Sequence, residues 1–364
     1  MIEIIGILCP GFFKINPVLT NPGKKQNPSL LKKLLQFILF LFVAVLLIAL
    51  AFRGISFRNI IEQVFKAKLF WVVLSFFISA FAHIIRAIRW NLLIEPLGYA
   101  PPLQKTFYAV MTGYLANLAF PRLGEVTRCG SLTKSGGIPF NKLLGTVITE
   151  RIIDVLSLLI CLTIVMVIEF DRLGNFLKDN IAKPVVHKFS LIGSPLLIFI
   201  TVVILTVFAF LIFRYLRKRD NRFSRVIRGV AEGIMSVRSL KRPWLFIFHS
   251  VLIWFLYFLS VYVAFFAMSP TKDLGLGAAL FLLVAGGVAM SAPVQGGIGA
   301  YHLLVSQGLI LYGLTHEQGL AFATLVHSLQ VILSVLLGGI SFLLLFSGTS
   351  SKKLRSWDSM AGRS

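Results

Sequence analysis

The chain has 364 residues, of which 57% are hydrophobic and 14% charged, and its mean hydropathy is +0.86. That apolar share exceeds what soluble domains carry, so a soluble globule is excluded. The formal charge of +22 would suggest nucleic acid in a soluble protein. Here the basic residues flank long apolar segments, which points to a membrane surface and to no nucleic-acid partner.

Residues 1–30, with Pro10, Pro17, Pro22 and Pro28, read as an unstructured leader. Cys9 follows a leucine as in a lipoprotein anchor, but Glu3 and the missing basic start argue against a signal peptide. Together with Cys129 and Cys161 it is too scattered for a disulfide framework or a zinc site. The apolar segment 34–52 contains no ionised residue and is long enough to cross roughly 30 Å of hydrocarbon at about 1.5 Å per residue. Similar segments cover 70–93, 143–168, 191–213, 244–268 and 319–346.

A dense basic block running from Arg214 to Arg242 marks the cytoplasmic side, as do Lys24, Lys25, Lys32 and Lys33 before the first span and Lys352, Lys353 and Arg355 after the last. Both termini are therefore expected inside. The expected organisation is a leader, a transmembrane domain over 31–348 and a basic cytoplasmic tail over 349–364.

Two further apolar stretches interrupt the alternation of spans. The stretch 105–134 breaks at Pro121 and Gly124, and 274–314 breaks at Pro293, Gly296, Gly297 and Gly299. Each arm is short for a comfortable crossing, so both read as re-entrant helical hairpins. Broken backbone at membrane depth needs protein or a water-filled cavity around it, since lipid cannot satisfy the freed N–H and C=O groups. The order of spans and hairpins then gives an inverted repeat, with a site between the breaks. Two unrelated Pro/Gly kinks in a bundle are the plainer alternative. The expected fold class is thus an all-α, polytopic integral membrane bundle with two re-entrant helical hairpins.

Charge inside a bilayer costs roughly 2.5 to 3.5 kcal/mol per residue on insertion scales, so clustered charges demand partners or a purpose. Span 70–93 carries His83, Arg86 and Arg89, with Ser79 a turn away. Span 143–168 carries Glu150, Arg151 and Asp154; Glu150 and Asp154 share a face, and Arg151 stands three residues before Asp154 as a candidate pair. The first break contributes Arg122 and Glu125, and its return arm Arg128. Arg86, Arg122 and Arg151 are expected to meet Glu125, Glu150 and Asp154 at similar depth, with Arg128 and His83 supplying a positive surplus. Such a cluster either positions the hairpin as a buried ion-pair network or frees an arginine to hold an anionic group, phosphate above all, because guanidinium engages it bidentately.

The second break is chemically different. Gln295, Gly296, Gly297 and Gly299, followed by Tyr301 and His302, offer backbone N–H groups, an amide and an imidazole. Such a turn can cradle an anion, although close helix packing explains its glycines as well. His249, His327 and Gln330 read as interhelical hydrogen bonders. Neither a nucleotide loop nor an H-E-x-x-H zinc motif is present, so no cofactor is expected. The anionic-lipid site is the leading expectation. A membrane-embedded enzyme such as a lipid-linked glycosyltransferase, using Glu169 and Asp171, and a non-catalytic lipid-binding partner are the alternatives.

The runs Gly113–Asn117, Pro121-Arg122-Leu123-Gly124-Glu125-Val126-Thr127-Arg128, Glu150-Arg151-Ile152-Ile153-Asp154 and Pro293-Val294-Gln295-Gly296-Gly297-Ile298-Gly299 together resemble the lysylphosphatidylglycerol synthase transmembrane region, a flippase-like or UPF0104-type family. The likeness covers nearly the whole chain after about residue 30. In multiple peptide resistance factors a region of this kind is thought to move aminoacylated phosphatidylglycerol between leaflets, while a cytosolic domain makes that lipid. The resemblance implies a lipid translocase of a bacterial inner membrane. It is expected to lack the cytosolic aminoacyl-transferase domain, and Tyr301 and His302 stand where the family pattern has an acidic residue.

Overall fold

A computed structural model describes residues 30–170, 172 and 240–347. The expected leader, the span 191–213, nearly all of the 214–242 loop and the 349–364 tail lie outside the described residues. The chain divides into a short unit, Met1–Leu39, described only from Leu30 where its helix starts, and a large one, Phe40–Ser364.

The described residues form α-helices joined by short turns, with no strand among them. In chain order the helices are α1 Leu30–Ala51, α2 Phe57–Phe65, α3 Leu69–Ile94, α4 Leu103–Ala119, α5 Leu123–Gly136, α6 Phe140–Ile168, α7 Pro243–Phe265, α8 Leu276–Ser291, α9 Ala300–Ile310 and α10 His316–Ser347. Among the described residues, four helical stretches are long and apolar enough to cross a membrane: Leu69–Leu97, Phe140–Ile168, Pro243–Phe265 and His316–Leu345. They match four of the six expected spans; the segment Leu41–Ala51 of α1 is a shorter apolar helix. The C-terminal half of α6 presents Val155, Leu156, Leu159, Ile160 and Val167 outward, apolar surface that suits lipid and would be costly in water. The protein is an all-helical membrane protein.

Without a hydrophobic driving force between helices in lipid, close packing and hydrogen bonds must hold them together. The joint between α3 and α7 uses serine. Ser75 Oγ donates to the Ser260 carbonyl at 2.9 Å, and the Ser79 and Ser260 hydroxyls lie 2.7 Å apart. Apolar packing fills in around such joints. Phe265, Leu282, Val305, Leu309 and Phe322 form one core among α7 to α10, and Trp90, Leu93, Val110, Leu132 and Val147 form another among α3 to α6.

The two broken stretches are helix pairs. The helices α4 and α5 have 17 and 14 residues, and α8 and α9 have 16 and 11, all short of the roughly 20 that a spanning helix needs. The first pair crosses where glycine has no side chain to intervene: a Cβ on Gly124 would collide with the Gly113 carbonyl and the Asn117 side chain. Asn117 Oδ1 then accepts from Gly124 N at 2.6 Å, satisfying one of the orphan donors at the start of α5. The second pair turns through Gly296, Gly297 and Gly299, whose φ values of 55°, 75° and 83° place the chain in the left-handed region that side chains disfavour.

The two turns touch. Arg122 Nη2 donates to the Ser291 carbonyl at 3.4 Å, and a Cβ on Gly296 would lie 2.7 Å from Leu118 Cδ2. The approach of the Pro121 and Pro293 breaks, expected from sequence, is therefore present.

Candidate functional site

The helices α3, α5 and α6 bring their charged residues into one cluster. Glu150, fully buried on α6, is gripped from two sides. Arg86 Nη1 of α3 donates to its Oε1 at 2.6 Å, and Arg128 Nη1 of α5 to its Oε2 at 3.1 Å. One turn further along α6, Asp154 accepts from Arg86 Nη1 at 2.9 Å and from Arg89 Nη2 at 2.7 Å. Arg89, also fully buried, sits 3.6 Å from Glu150 and donates to Ser250 Oγ of α7 at 3.3 Å.

Arg151 and Glu125 form the looser end of the cluster. Arg151 Nε and Glu125 Oε1 are 3.5 Å apart without hydrogen-bond geometry, and Glu125 Oε2 has no hydrogen-bond partner. The Arg151 side chain is 43% exposed. Its expected pairing with Asp154 is weak, at 3.8 Å, because Asp154 is already taken by the two arginines of α3. Arg122 does not join the carboxylates either. Its backbone is left-handed, φ 60°, and its side chain turns to Ser291 of the other helix pair. The expected trio of Arg86, Arg122 and Arg151 is therefore corrected to Arg86, Arg89, Arg128 and Arg151. Arg89 was visible in the sequence three residues after Arg86, a spacing that puts both on one helical face.

Arg128 is buried and held against Trp90, its guanidinium carbon 4.8 Å from the ring centroid. Its Nη1 is on Glu150, whereas Nε and Nη2 have no hydrogen-bond partner. Arg128 also lines a small cavity of about 10 Å³ with Gly113, Tyr114, Asn117, Glu125 and Arg151. That volume admits about one water. His83 lies beside Tyr114, with ring centroids 4.5 Å apart.

At the second turn, Gln295 is 6% exposed and neither amide atom has a hydrogen-bond partner. His327 Nε2 donates to the Gly296 carbonyl at 2.9 Å. The His302 and His327 rings meet edge to face at 4.9 Å, and Tyr301 stacks on His327 at 5.2 Å. His302 Nδ1 has no hydrogen-bond partner. Gly296, Gly297 and Gly299 shape this turn, and no group of three or more metal-ligating side chains occurs among the described residues.

The family model described as Lysylphosphatidylglycerol synthase TM region matches residues 37–338, a range that contains both helix pairs and every charged residue of the cluster. The chain belongs to that family. A UPF0104 membrane protein of Methanocaldococcus jannaschii is 30% identical over 124 residues, 33% of this chain and 35% of the relative. The match thus spans about a third of the relative's length. No solved structure matches the chain. Within the matched range, Glu125 and Arg128 of α5 and Glu150, Arg151 and Asp154 of α6 join Arg86 and Arg89 of α3 in the ion cluster.

Proposed function

We propose that this protein is a lipid translocase that passes the phosphate of an anionic phospholipid past the charged cluster while the tails stay in the bilayer. The observation that carries this reading is Arg128: a buried guanidinium with only part of its donor set engaged, beside a cavity it shares with the loosely held Arg151 and Glu125. A purely structural network would be expected to use such donors, because unpaired buried polar groups cost free energy. The short paired helices support a re-entrant, inverted arrangement about the touching turns, as in transporters with broken helices. The family resemblance to a region thought to move aminoacylated phosphatidylglycerol points the same way, and we place the protein in a bacterial inner membrane with both termini cytoplasmic.

A cavity of about 10 Å³ is too small for a phosphate, so on this reading α4 and α5 part from α6 to load the ligand. The glycosyltransferase alternative is weaker, since Glu169 is engaged by Arg172 at 2.7 Å.

The test is transfer of a fluorescent phospholipid between leaflets of proteoliposomes. Arg128→Gln should abolish transfer while the protein remains folded, because Glu150 keeps Arg86 and Arg89 as partners. Full transfer by a folded Arg128→Gln protein would remove the proposal.

A further inference from the structure

We infer that the cluster selects a phosphodiester bearing one negative charge, as opposed to a phosphomonoester or an uncharged head group. This rests on the reading of the cluster as a lipid-phosphate site and adds the charge and shape of its ligand.

The first argument is charge. The guanidiniums of Arg86, Arg89, Arg128 and Arg151 face the carboxylates of Glu125, Glu150 and Asp154, leaving one positive charge in surplus. In a membrane interior an unmatched charge is expensive in either direction. One anionic charge cancels the surplus, and a second would recreate an imbalance of opposite sign.

The second argument is geometric. The unpartnered atoms of Arg128 are Nε and Nη2, which together form one edge of the guanidinium fork. That edge presents two parallel N–H donors, on a group whose guanidinium carbon lies 4.8 Å over the Trp90 ring centroid. A phosphodiester has two non-bridging oxygens that share one charge, the complement of such an edge. The neighbouring donor Nη1 is already on Glu150, so a third phosphate oxygen lies beyond the paired Nε and Nη2 donors. It would instead face Glu125, whose Oε2 lacks a partner and whose residue lines the same cavity. Glu125 therefore acts as the repulsive element that rejects a second charge, and specificity of this kind is set by such elements as much as by attraction.

Full-length protein in detergent is titrated with phosphatidylglycerol, phosphatidate, phosphatidylcholine, diacylglycerol and soluble glycerophosphoglycerol, with binding read by native mass spectrometry and thermal shift. At about pH 8, where a phosphomonoester is largely dianionic because its second pKa is about 6, phosphatidylglycerol should bind at least about tenfold tighter than phosphatidate. The gap should close near pH 5. Glu125→Gln, which raises the surplus by one, should narrow or reverse the preference at the higher pH.

Equal binding of both lipids at pH 8, or an unchanged ratio in Glu125→Gln, overturns the charge-selection inference and leaves the phosphate site standing. Binding of diacylglycerol as tight as that of phosphatidylglycerol, or binding of neither, overturns the phosphate site itself and the inference with it. Glycerophosphoglycerol matching phosphatidylglycerol keeps the phosphodiester and removes the lipid as its source.

Discussion

At the first helix pair, α5 delivers Glu125 and Arg128 into a set of ionised groups contributed by three helices, and nearly every carboxylate oxygen there has a cationic partner. At the second pair the turn instead gathers an amide, a phenol and two imidazoles, and the Gln295 side-chain amide has no hydrogen-bond partner. Both turns are built from the same Pro and Gly punctuation, and they touch. The difference lies in what holds each in place: strong, directional ion pairs at the first, and backbone conformation with ring packing at the second. Loss of the buried carboxylate that anchors the first pair should therefore appear as lost folding, and damage at the second as changed function at little cost in stability.

The sharpest way to break that comparison is Glu150→Gln. It leaves Arg86 and Arg128 without their main shared acceptor in a fully buried position, and should cost about 3 to 5 kcal/mol, seen as lost yield and a lowered melting temperature in detergent. Next in size is the coupling between Arg89 and Asp154. Arg89→Gln and Asp154→Asn should each destabilise, and the double variant should recover roughly 0.5 to 3 kcal/mol of the sum. The same cycle between Arg151 and Asp154 should recover little, and equal recovery there would contradict the pairing described above.

At the second helix pair, Gln295→Leu should leave stability unchanged or raise it by about 1 kcal/mol, because it removes an unsatisfied buried amide. If lipid transfer falls in the same variant, the amide contributes to the substrate path; a large loss of stability would show that Gln295 is structural and the contrast between the pairs is wrong.

The smallest effect belongs to an exposed pair that is part of neither turn. The Lys66 ammonium, 2.7 Å from Glu62, holds that carboxyl below its usual range. The stabilisation this implies exists above the ordinary carboxyl pKa and is lost as pH falls through the lowered one. Solvent screens an exposed pair, so Glu62→Gln should leave melting unchanged at pH 7.

Much of this contrast was legible in the sequence, because intramembrane charges and Pro-Gly breaks are rare enough to stand out against apolar spans. The membership of the cluster was legible apart from Arg89 and Arg122; its pairing was not. Spacing along α6 suggests Arg151 as the partner of Asp154, yet the arginines of α3 reach that carboxylate at shorter range. That outcome depends on how α3 is rotated against α6, which no local pattern encodes. Arg122 illustrates a second limit. Its place beside Glu125 in the chain implied a shared site, but a left-handed backbone at the start of α5 sends its side chain to the other turn.

The serine joint between α3 and α7 has a bearing on the charges that its own contacts do not reveal. Ser75, Ser79, Arg86 and Arg89 recur at steps of four, seven and three along α3 and so follow one stripe of the helix. Lipid tails cannot compete for the hydrogen bonds of Ser75 and Ser79 with Ser260. The joint therefore resists both sliding and spinning of α3. A slip of one residue would turn the helix by about 100° and carry both guanidiniums off Glu150 and Asp154 together. Hydroxyls that never touch the ionised groups thus fix their azimuth.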